Sequence, residues 1–255
     1  RSGTTWTQQQ KLTASDGTQN DEYGWAVAIS GDTIVVGSHF ADVALQGAAY
    51  VYLRGMTHWS LQQKLIANDA AASDSFGVAV AIEGDALVIG APGADIGMNT
   101  DQGAAYVFVR TAGVWSQQQK LTASDGGASH LFGASAGISG NRIVLGAILY
   151  DAPPAPNQGW AYVFDRNGLN WIERQKLVSS DGSPGDEFGF SAGISGDAIL
   201  IGAFHNTVAG SDQGSAYIFG RDVGGAGAWG LVKKLLPISD TTPPTSPSPV
   251  TSTSH

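Results

Sequence analysis

The pattern of apolar and polar positions repeats along the chain with a period of a little over fifty residues. Trp recurs with spacings of 53, 56, 56 and 58 residues, at Trp6, Trp59, Trp115, Trp171 and Trp229. Each Trp begins a near-copy of one segment, written WTQQQKL, WSLQQKL, WSQQQKL, WIERQKL and WGLVKKL. A period of this length with this much internal identity indicates a repeat architecture.

Each repeat predicts four β-strands and no helix. Gly24–Ile29 alternates small and large residues, and Ser30-Gly31-Asp32 predicts a tight hairpin turn. Thr33–Val36 is continuously apolar, as in a strand buried on both faces. Ala48–Leu53 is rich in aromatic residues, and the Trp-to-Leu segment is a fourth strand that exposes Gln and Lys. We predict an all-β fold in which each four-stranded antiparallel unit is one blade of a β-propeller.

The order of the four strands predicts their distance from the propeller axis. Blades crowd at the axis and spread outward, so we expect the small-residue strand innermost and the Trp-to-Leu strand at the rim. The chain has 35 glycines among 255 residues, about twice the usual ~7%. We assign the propeller to residues 1–236, with repeats at about 6–58, 59–114, 115–170 and 171–228 and a partial repeat at 229–236.

Residues 237–255 differ in composition from the repeats. They are rich in Ser, Thr and Pro and have no apolar core, which is typical of an extended, mucin-like tail or linker. Their hydroxyl groups are candidates for O-glycosylation, at Thr241, Thr242, Thr245, Ser246, Ser248, Thr251, Ser252, Thr253 and Ser254. Because the chain begins at Arg1 without a charged-then-apolar leader, we expect a processed product or an excerpt of a longer polypeptide.

The composition of the chain argues against several classes of function. The chain carries 13 Lys and Arg against 22 Asp and Glu, a net charge of −9, so we expect no nucleic-acid partner. It contains no Cys, which excludes disulfides, thiolate metal sites and cysteine nucleophiles. No apolar run approaches the ~20 residues of a membrane-spanning helix, so we expect no membrane insertion.

Two short motifs carry a resemblance to a known family. An aromatic-Gly pair precedes the first apolar strand and a Gly-Ala pair ends the second, complete as Phe76-Gly77 and Gly90-Ala91-Pro92. Over about residues 6–235 the chain resembles the FG-GAP repeats of integrin α-subunit propellers and related extracellular proteins. The resemblance implies an extracellular or cell-surface propeller. That family typically has seven repeats, whereas this chain has four.

The resemblance does not extend to a metal site. Integrin-type repeats often carry an Asp-rich calcium loop between their first two strands. Here that connection is only Gly31-Asp32 or its equivalent, too short to supply about 6–8 oxygen ligands. We therefore expect no bound metal and no other cofactor.

The Trp-to-Leu strand occurs five times, whereas the other three strand types occur four times. Four blades need four outer strands, so either Thr5–Leu12 or Trp229–Leu235 is surplus, and the assembly candidates are Trp6, Leu12, Trp229 and Leu235. One explanation of the fifth outer strand is that both copies lie on one rim or that one copy frays. Pairing of the surplus strand with another chain is a second, and a head-to-tail pairing that does not close gives a filament. A segment of a longer repeat array is a third.

The connections between the second and third strands differ most among the repeats, as expected of loops free to specialise on a fixed scaffold. Their candidate ligand-binding residues are His39, Asp42, Asp95, Asp101, Tyr150, Asp151, His205 and Asp212. Solvated carboxylates and turn-forming Asp are the competing interpretation, and the one we favour.

Carboxylates five residues apart also recur, at Asp16 and Asp21, Asp69 and Asp74, and Asp181 and Asp186, with His130 in the second place of the third repeat. They fit cation binding or paired acids, but repetition in every blade favours turns or hydrogen bonds between blades.

The sequence contains no recognisable catalytic motif, and its five His show no metal-binding spacing. The Arg that ends each third strand is better explained as a rim partner than as an anion site, at Arg54, Arg110, Arg166 and Arg221. We therefore expect a non-enzymatic extracellular structural protein that self-assembles into filaments or a surface layer, with other copies of itself as partners. The alternative is an adhesion or glycan-binding propeller that uses the variable loops.

Overall fold

The computed structural model describes residues 4–42, 45–149, 157–208 and 211–237. Within these ranges the chain forms β-strands and no α-helix. The strands, in chain order, are β1 Val27–Ser30, β2 Thr33–Ser38, β3 Ala48–Arg54, β4 Trp59–Leu65, β5 Ala79–Glu83, β6 Ala86–Ala91, β7 Ala104–Thr111, β8 Val114–Leu121, β9 Phe132–Ser139, β10 Arg142–Ala147, β11 Trp160–Asn167, β12 Asn170–Leu177, β13 Phe188–Ser195, β14 Ala198–Ala203, β15 Thr207–Val208, β16 Ser211–Asp212, β17 Ser215–Arg221 and β18 Trp229–Leu235.

The strands form four antiparallel four-stranded sheets, each following the chain order. We call them blade 1 (β1-β2-β3-β4), blade 2 (β5-β6-β7-β8), blade 3 (β9-β10-β11-β12) and blade 4 (β13-β14-β17-β18). The short β15–β16 hairpin lies in the connection between β14 and β17. The prediction of an all-β protein made of four four-stranded blades is confirmed.

A two-residue turn joins the first and second strands of a blade. In blade 1, Ser30 pairs with Thr33, which leaves only Gly31 and Asp32 between the strands. Gly31 has a φ of 55°, in the left-handed region that glycine adopts without a steric penalty. The predicted hairpin turn is therefore confirmed, and its shortness follows from glycine at this position.

Successive blades pack face to face through apolar side chains. The first strands of neighbouring blades contact one another in the order β1, β5, β9 and β13, so they lie along a common axis. Between blades 2 and 3, for example, Val88 and Val107 pack against Phe132 and Leu145. The Trp-to-Leu strand is at the opposite edge of every sheet. The predicted order from axis to rim is thus confirmed.

The four blades form a row that is open at both ends. Ile29 of blade 1 is 64% exposed, whereas Ile82 at the same place in blade 2 is 9% exposed. Leu200 of blade 4 is 47% exposed, whereas its equivalent in blade 3, Val144, is fully buried. Within the described ranges, blade 4 therefore does not cover blade 1. Consecutive segments of the chain build each blade, so no described blade combines strands from the two ends of the chain.

The sheet order also identifies the surplus outer strand. Trp229–Leu235 is β18, the fourth strand of blade 4, and Trp229 is buried there. Trp6–Leu12 has no strand assignment, and Trp6 is 78% exposed.

The described residues include no helix capable of crossing a lipid bilayer. The O-glycosylation candidates, Thr241 to Ser254, lie outside the described residues.

Candidate assembly site

Successive blades touch through their backbones near the axis. The shared feature is a glycine near the end of the second strand that lies against the next blade, at Gly37, Gly90 and Gly146. A Cβ there would overlap the carbonyl oxygen of the glycine in the next blade's aromatic-Gly pair, at Gly77, Gly133 and Gly189. The aromatic residue of that pair donates its N–H to a carbonyl oxygen of the preceding blade, Phe76 to Gln46 at 2.9 Å, Phe132 to Gln102 at 2.9 Å and Phe188 to Gln158 at 2.8 Å.

A glutamine clasp joins neighbouring blades at the rim. Gln63 of β4 accepts the N–H of Trp115 at its Oε1 (2.9 Å) and donates from Nε2 to the Trp115 carbonyl oxygen (2.8 Å). The other two joints carry the same pair of bonds, at Gln119 with Trp171 and at Gln175 with Trp229. Two bonds to one residue fix the register between outer strands. The sequence interpretation, which placed these Gln on the exposed surface, missed this role.

The β-hairpins near the axis supply a third contact. The Ser30 hydroxyl oxygen accepts the backbone N–H of Gly84 in the next blade at 3.1 Å. Ser139 accepts the N–H of Gly196 at 3.1 Å in the same way, and the Glu83 carboxylate accepts that of Gly140. A blade joint therefore combines a close glycine contact, a backbone hydrogen bond, a clasp and a hairpin bond around an apolar core.

Each end of the row carries the equivalents of one half of this joint's glycine, backbone, hairpin and apolar contacts. We call Tyr23, Gly24, Val27, Ile29 and Ile34 the blade-1 end face. We call Ser195, Leu200, Gly202, Gln213 and Ile218 the blade-4 end face. Both faces are apolar and open, with Val27 68% exposed. Each is equivalent, position by position, to a face that is covered inside the row.

Trp6–Leu12 lies against the edge of blade 1. Gln10 accepts the N–H of Trp59 at its Oε1 (2.7 Å) and donates from Nε2 to the Trp59 carbonyl oxygen (3.0 Å). This is the clasp found at the internal joints, so the segment occupies the position of the outer strand of a preceding blade. Leu12 packs against the aromatic cluster that contains Tyr50. At the other end of the row, Lys233 of β18 stands where the clasp requires Gln.

The first carboxylate of each Asp pair binds a lysine of the same blade's outer strand. The Asp16 carboxylate accepts from Lys64 Nζ at 2.6 Å and from the Tyr50 hydroxyl at 3.0 Å. The lysine bond recurs at Asp69 with Lys120, Asp125 with Lys176, and Asp181 with Lys234.

These bonds determine how the four carboxyls titrate. The Lys64 bond holds the pKa of Asp16 below its usual range. At the other three, burial is the largest single influence and raises the pKa, but the hydrogen bonds from lysine and tyrosine and the lysine charge together lower it, at Asp69, Asp125 and Asp181.

The second member of each pair caps its own loop. Asp74 accepts the N–H of Ala71 at 2.8 Å, and the same bond recurs at Asp21 with Thr18 and at Asp186 with Ser183. His130 substitutes by accepting the Gly127 N–H on Nδ1 at 2.8 Å. The favoured explanation by turns is confirmed for the second carboxylates, whereas the first carboxylates bond within their own blade rather than between blades. No cluster of three metal-ligating side chains occurs in the part of the chain that the structure describes.

The side chains of the described loop candidates contact groups of their own blade, and the Asp101 carbonyl oxygen also accepts the N–H of Leu131, just before blade 3, at 3.1 Å. His39 is buried beside Trp25, and this burial lowers its pKa despite the nearby Glu22. Asp42 binds Lys64 at 2.6 Å, and Asp95 accepts the Asp101 N–H at 2.9 Å. His205 Nδ1 lies 2.8 Å from Asp212, and this hydrogen bond raises the pKa of His205. The described candidates are not joined to one another across blades by a hydrogen bond or ion pair, and Tyr150 and Asp151 lie outside the described residues.

Comparison with known proteins agrees with the repeat boundaries. A family model described as FG-GAP repeat matches residues 6–52, 59–108, 115–164 and 171–219. The four matches coincide with the four repeats and together cover more than half of the chain. No curated protein matches the chain.

Proposed function

We propose that this chain, which belongs to the FG-GAP repeat family, is an extracellular, non-enzymatic module that assembles through the two end faces of its blade row. FG-GAP repeats are generally binding or structural domains, and they are typical of extracellular or surface proteins. The observation that carries the proposal is the presence of two open apolar faces, each equivalent to half of an internal joint. The filament or surface-layer form of assembly belongs to the same proposal.

The exposure of these faces has an energetic consequence. Repeat arrays are normally stable in solution because their terminal repeats carry a polar outer face. Here the outward faces of blades 1 and 4 keep the apolar residues of the interior positions, such as Ile29 and Leu200. Contiguous exposed apolar surface of this kind marks an interaction site. The Ser/Thr/Pro-rich tail then serves as a glycosylated linker beyond the assembling blades.

Sedimentation equilibrium over a wide range of protein concentration tests the proposal. We expect the average mass to rise with concentration above the chain mass of 26.3 kDa. The double variant Ile29→Lys/Leu200→Lys places a charge on each end face and is expected to remain at the chain mass. Leu169→Lys is the matched control, because Leu169 is 75% exposed in the β11–β12 turn, away from both end faces. A wild-type mass of 26.3 kDa at every concentration would contradict the proposal. Electron micrographs then distinguish filaments and layers from closed particles.

Adhesion or glycan binding is the second candidate, and an aromatic platform on blade 4 favours it. The rings of Phe190 and Phe204 are stacked 4.9 Å apart and each residue is about half exposed. The His205–Asp212 pair supplies polar groups next to them. Apolar surface with a few polar groups is typical of small-ligand sites. A glycan array probed with the wild type and with Phe204→Ala tests this function, and the absence of any bound glycan with an intact fold would contradict it.

A further inference from the structure

We propose that the blade-4 end face of one copy of this chain docks on the blade-1 end face of a second copy, so that copies join head to tail. The inference rests on the proposed function and names the partner of its two faces. The docked joint repeats the joint between internal blades. Two copies bring eight blades together, which is within the roughly four to eight blades of propellers. A ring of two copies or an open filament follows from the same contact.

The polar groups of the two faces form matching pairs. At internal joints the N–H of the aromatic-Gly pair bonds a Gln carbonyl oxygen, and here the equivalent groups are the Tyr23 N–H and the Gln213 carbonyl. For the hairpin bond, the equivalent donor is the Gly31 N–H and the equivalent acceptor is the Ser195 hydroxyl oxygen. Ser195 occupies the position of the acceptors Ser30 and Ser139. For these two bonds, the half that one end lacks is present at the other end.

The apolar groups match as well. Between blades 3 and 4, Val144 and Val163 pack against Ile199. Leu200 and Ile218 of the blade-4 end face stand at the positions of Val144 and Val163. Ile34 of the blade-1 end face stands at the position of Ile199. The docked contact therefore places branched aliphatic side chains against branched aliphatic side chains, as inside the row.

Gly202 provides the most specific evidence. It is equivalent to Gly146, where a Cβ would overlap a backbone oxygen of the next blade. Within this chain, the nearest group to a Cβ at Gly202 is the hydroxyl of Ser191, an exposed side chain that is free to rotate. Its φ is outside the left-handed region. The chain's own fold thus tolerates alanine at this position, whereas a docked Gly24 carbonyl would not.

The surplus strand completes the docked sheet. Trp6–Leu12 of one copy already lies where the outer strand of the docking blade belongs, so it and the β18 of the incoming copy compete for one position. Gln10 accepts the Trp59 N–H as part of its clasp. Lys233, at the equivalent position of β18, carries only donors and therefore offers no acceptor for that N–H. In the docked joint, Trp6–Leu12 therefore pairs with β17 of the neighbour and replaces β18. Addition of a strand from another chain is an established mode of association.

Two complementary variants test the head-to-tail contact. Gly202→Ala blocks only the blade-4 end face, and Ile29→Lys blocks only the blade-1 end face. Each variant alone is expected to weaken self-association at least ~10-fold, as ~1.4 kcal/mol of lost contact would. A mixture of the two retains one unmodified face of each kind. It is expected to form pairs at twice 26.3 kDa and no larger species.

Control variants separate docking from folding. Gly202→Ala is expected to keep the wild-type thermal midpoint, whereas Gly146→Ala lowers it because its Cβ overlaps the Gly189 carbonyl. If the wild type self-associates but these variants have no effect, or if the mixture forms no pair, the head-to-tail inference is overturned while the proposed function stands. If the wild type is monomeric at every concentration, both are overturned.

Deletion of residues 1–12 tests the exchanged strand by the sign of its effect. Loss of the Trp6–Leu12 strand is expected to weaken association, because the docked sheet then lacks its clasp. Stronger association would show that the segment covers the face and competes with docking, and unchanged association would show that it has no role. Either result overturns the strand exchange.

Discussion

The joint between blades 2 and 3 and the two end faces use equivalent residues in different surroundings. Val88 is fully buried at the internal joint, whereas Leu200 at the equivalent place on blade 4 is about half exposed. The strand, hairpin and glycine positions are the same in both. The repeat sequence therefore specifies an apolar face for every blade, but only the presence of a neighbour buries it. Equivalent substitutions at the two places separate the local role of a residue from its role in the joint.

Replacement of the buried aromatic residue in the aromatic-Gly pair is expected to have the largest effect. Phe132 is fully buried between blades 2 and 3, so Phe132→Ala should lower the free energy of unfolding by about 3–5 kcal/mol. Tyr23 at the equivalent place in blade 1 is only partly buried, so we expect about 1–2 kcal/mol for Tyr23→Ala. Urea denaturation followed by tryptophan fluorescence measures both values, and equal losses would contradict the comparison.

Addition of one methyl group at the glycine contact is expected to rank second. Gly90→Ala places a Cβ on the Gly133 carbonyl oxygen, and overpacking of this kind destabilises by about 1–3 kcal/mol. Gly202→Ala meets only the movable Ser191 hydroxyl, so its unfolding free energy should stay within about 0.5 kcal/mol of wild type. The same denaturation experiment, done at a concentration at which the protein is monomeric, checks both. A matching loss for Gly202→Ala would mean that its own fold requires this glycine.

Removal of a glutamine clasp is expected to have a smaller effect. Gln119→Ala breaks both bonds to the backbone of Trp171, with an expected loss of about 1–2 kcal/mol. Gln10→Ala breaks the same bonds at an exposed site, so a loss below about 0.5 kcal/mol is expected. Thermal unfolding of the two variants beside wild type measures the difference, and an equal fall in the two midpoints would show that burial does not set the strength of the clasp.

Acid should weaken every blade slightly and to a similar extent. The four rim carboxyls, Asp16, Asp69, Asp125 and Asp181, have a lowered pKa in the fold, so their contribution is complete above the ordinary pKa of ~3.9. That contribution is lost as the pH falls through the lower, folded values. Because the carboxyls are partly exposed, about 0.5 kcal/mol for each is expected.

Asp74 has the opposite effect on how stability depends on pH, because burial raises its pKa. Melting temperatures of wild type and Asp125→Asn between pH 7 and pH 3 measure the carboxyl contribution. The variant is expected to show the shallower decline, and parallel curves would contradict the assignment.

The sequence predicted most of the fold because the determinants are local. Gly31 specifies a two-residue turn, and the alternation of residues within a strand specifies its faces. The second carboxylate of each Asp pair was correctly explained by a turn, since Asp74 bonds a backbone N–H only three residues away. The clasp was missed because Gln63 bonds a residue 52 positions away. The only signal for it was the recurrence of Gln before Lys-Leu in four of the five Trp segments.

The sequence by itself determined four blades, the order of strands within each blade and the excess of one outer strand. These follow from residue spacing, turn chemistry and side-chain polarity, all of which act over a few residues. The tertiary structure decided that the row of described blades is open, that Trp6–Leu12 is the surplus segment, and that none of the described residues covers Ile29 or Leu200. Those features depend on which faces meet in space. A repeated sequence presents the same face at every position and therefore does not itself say which copy lacks a neighbour.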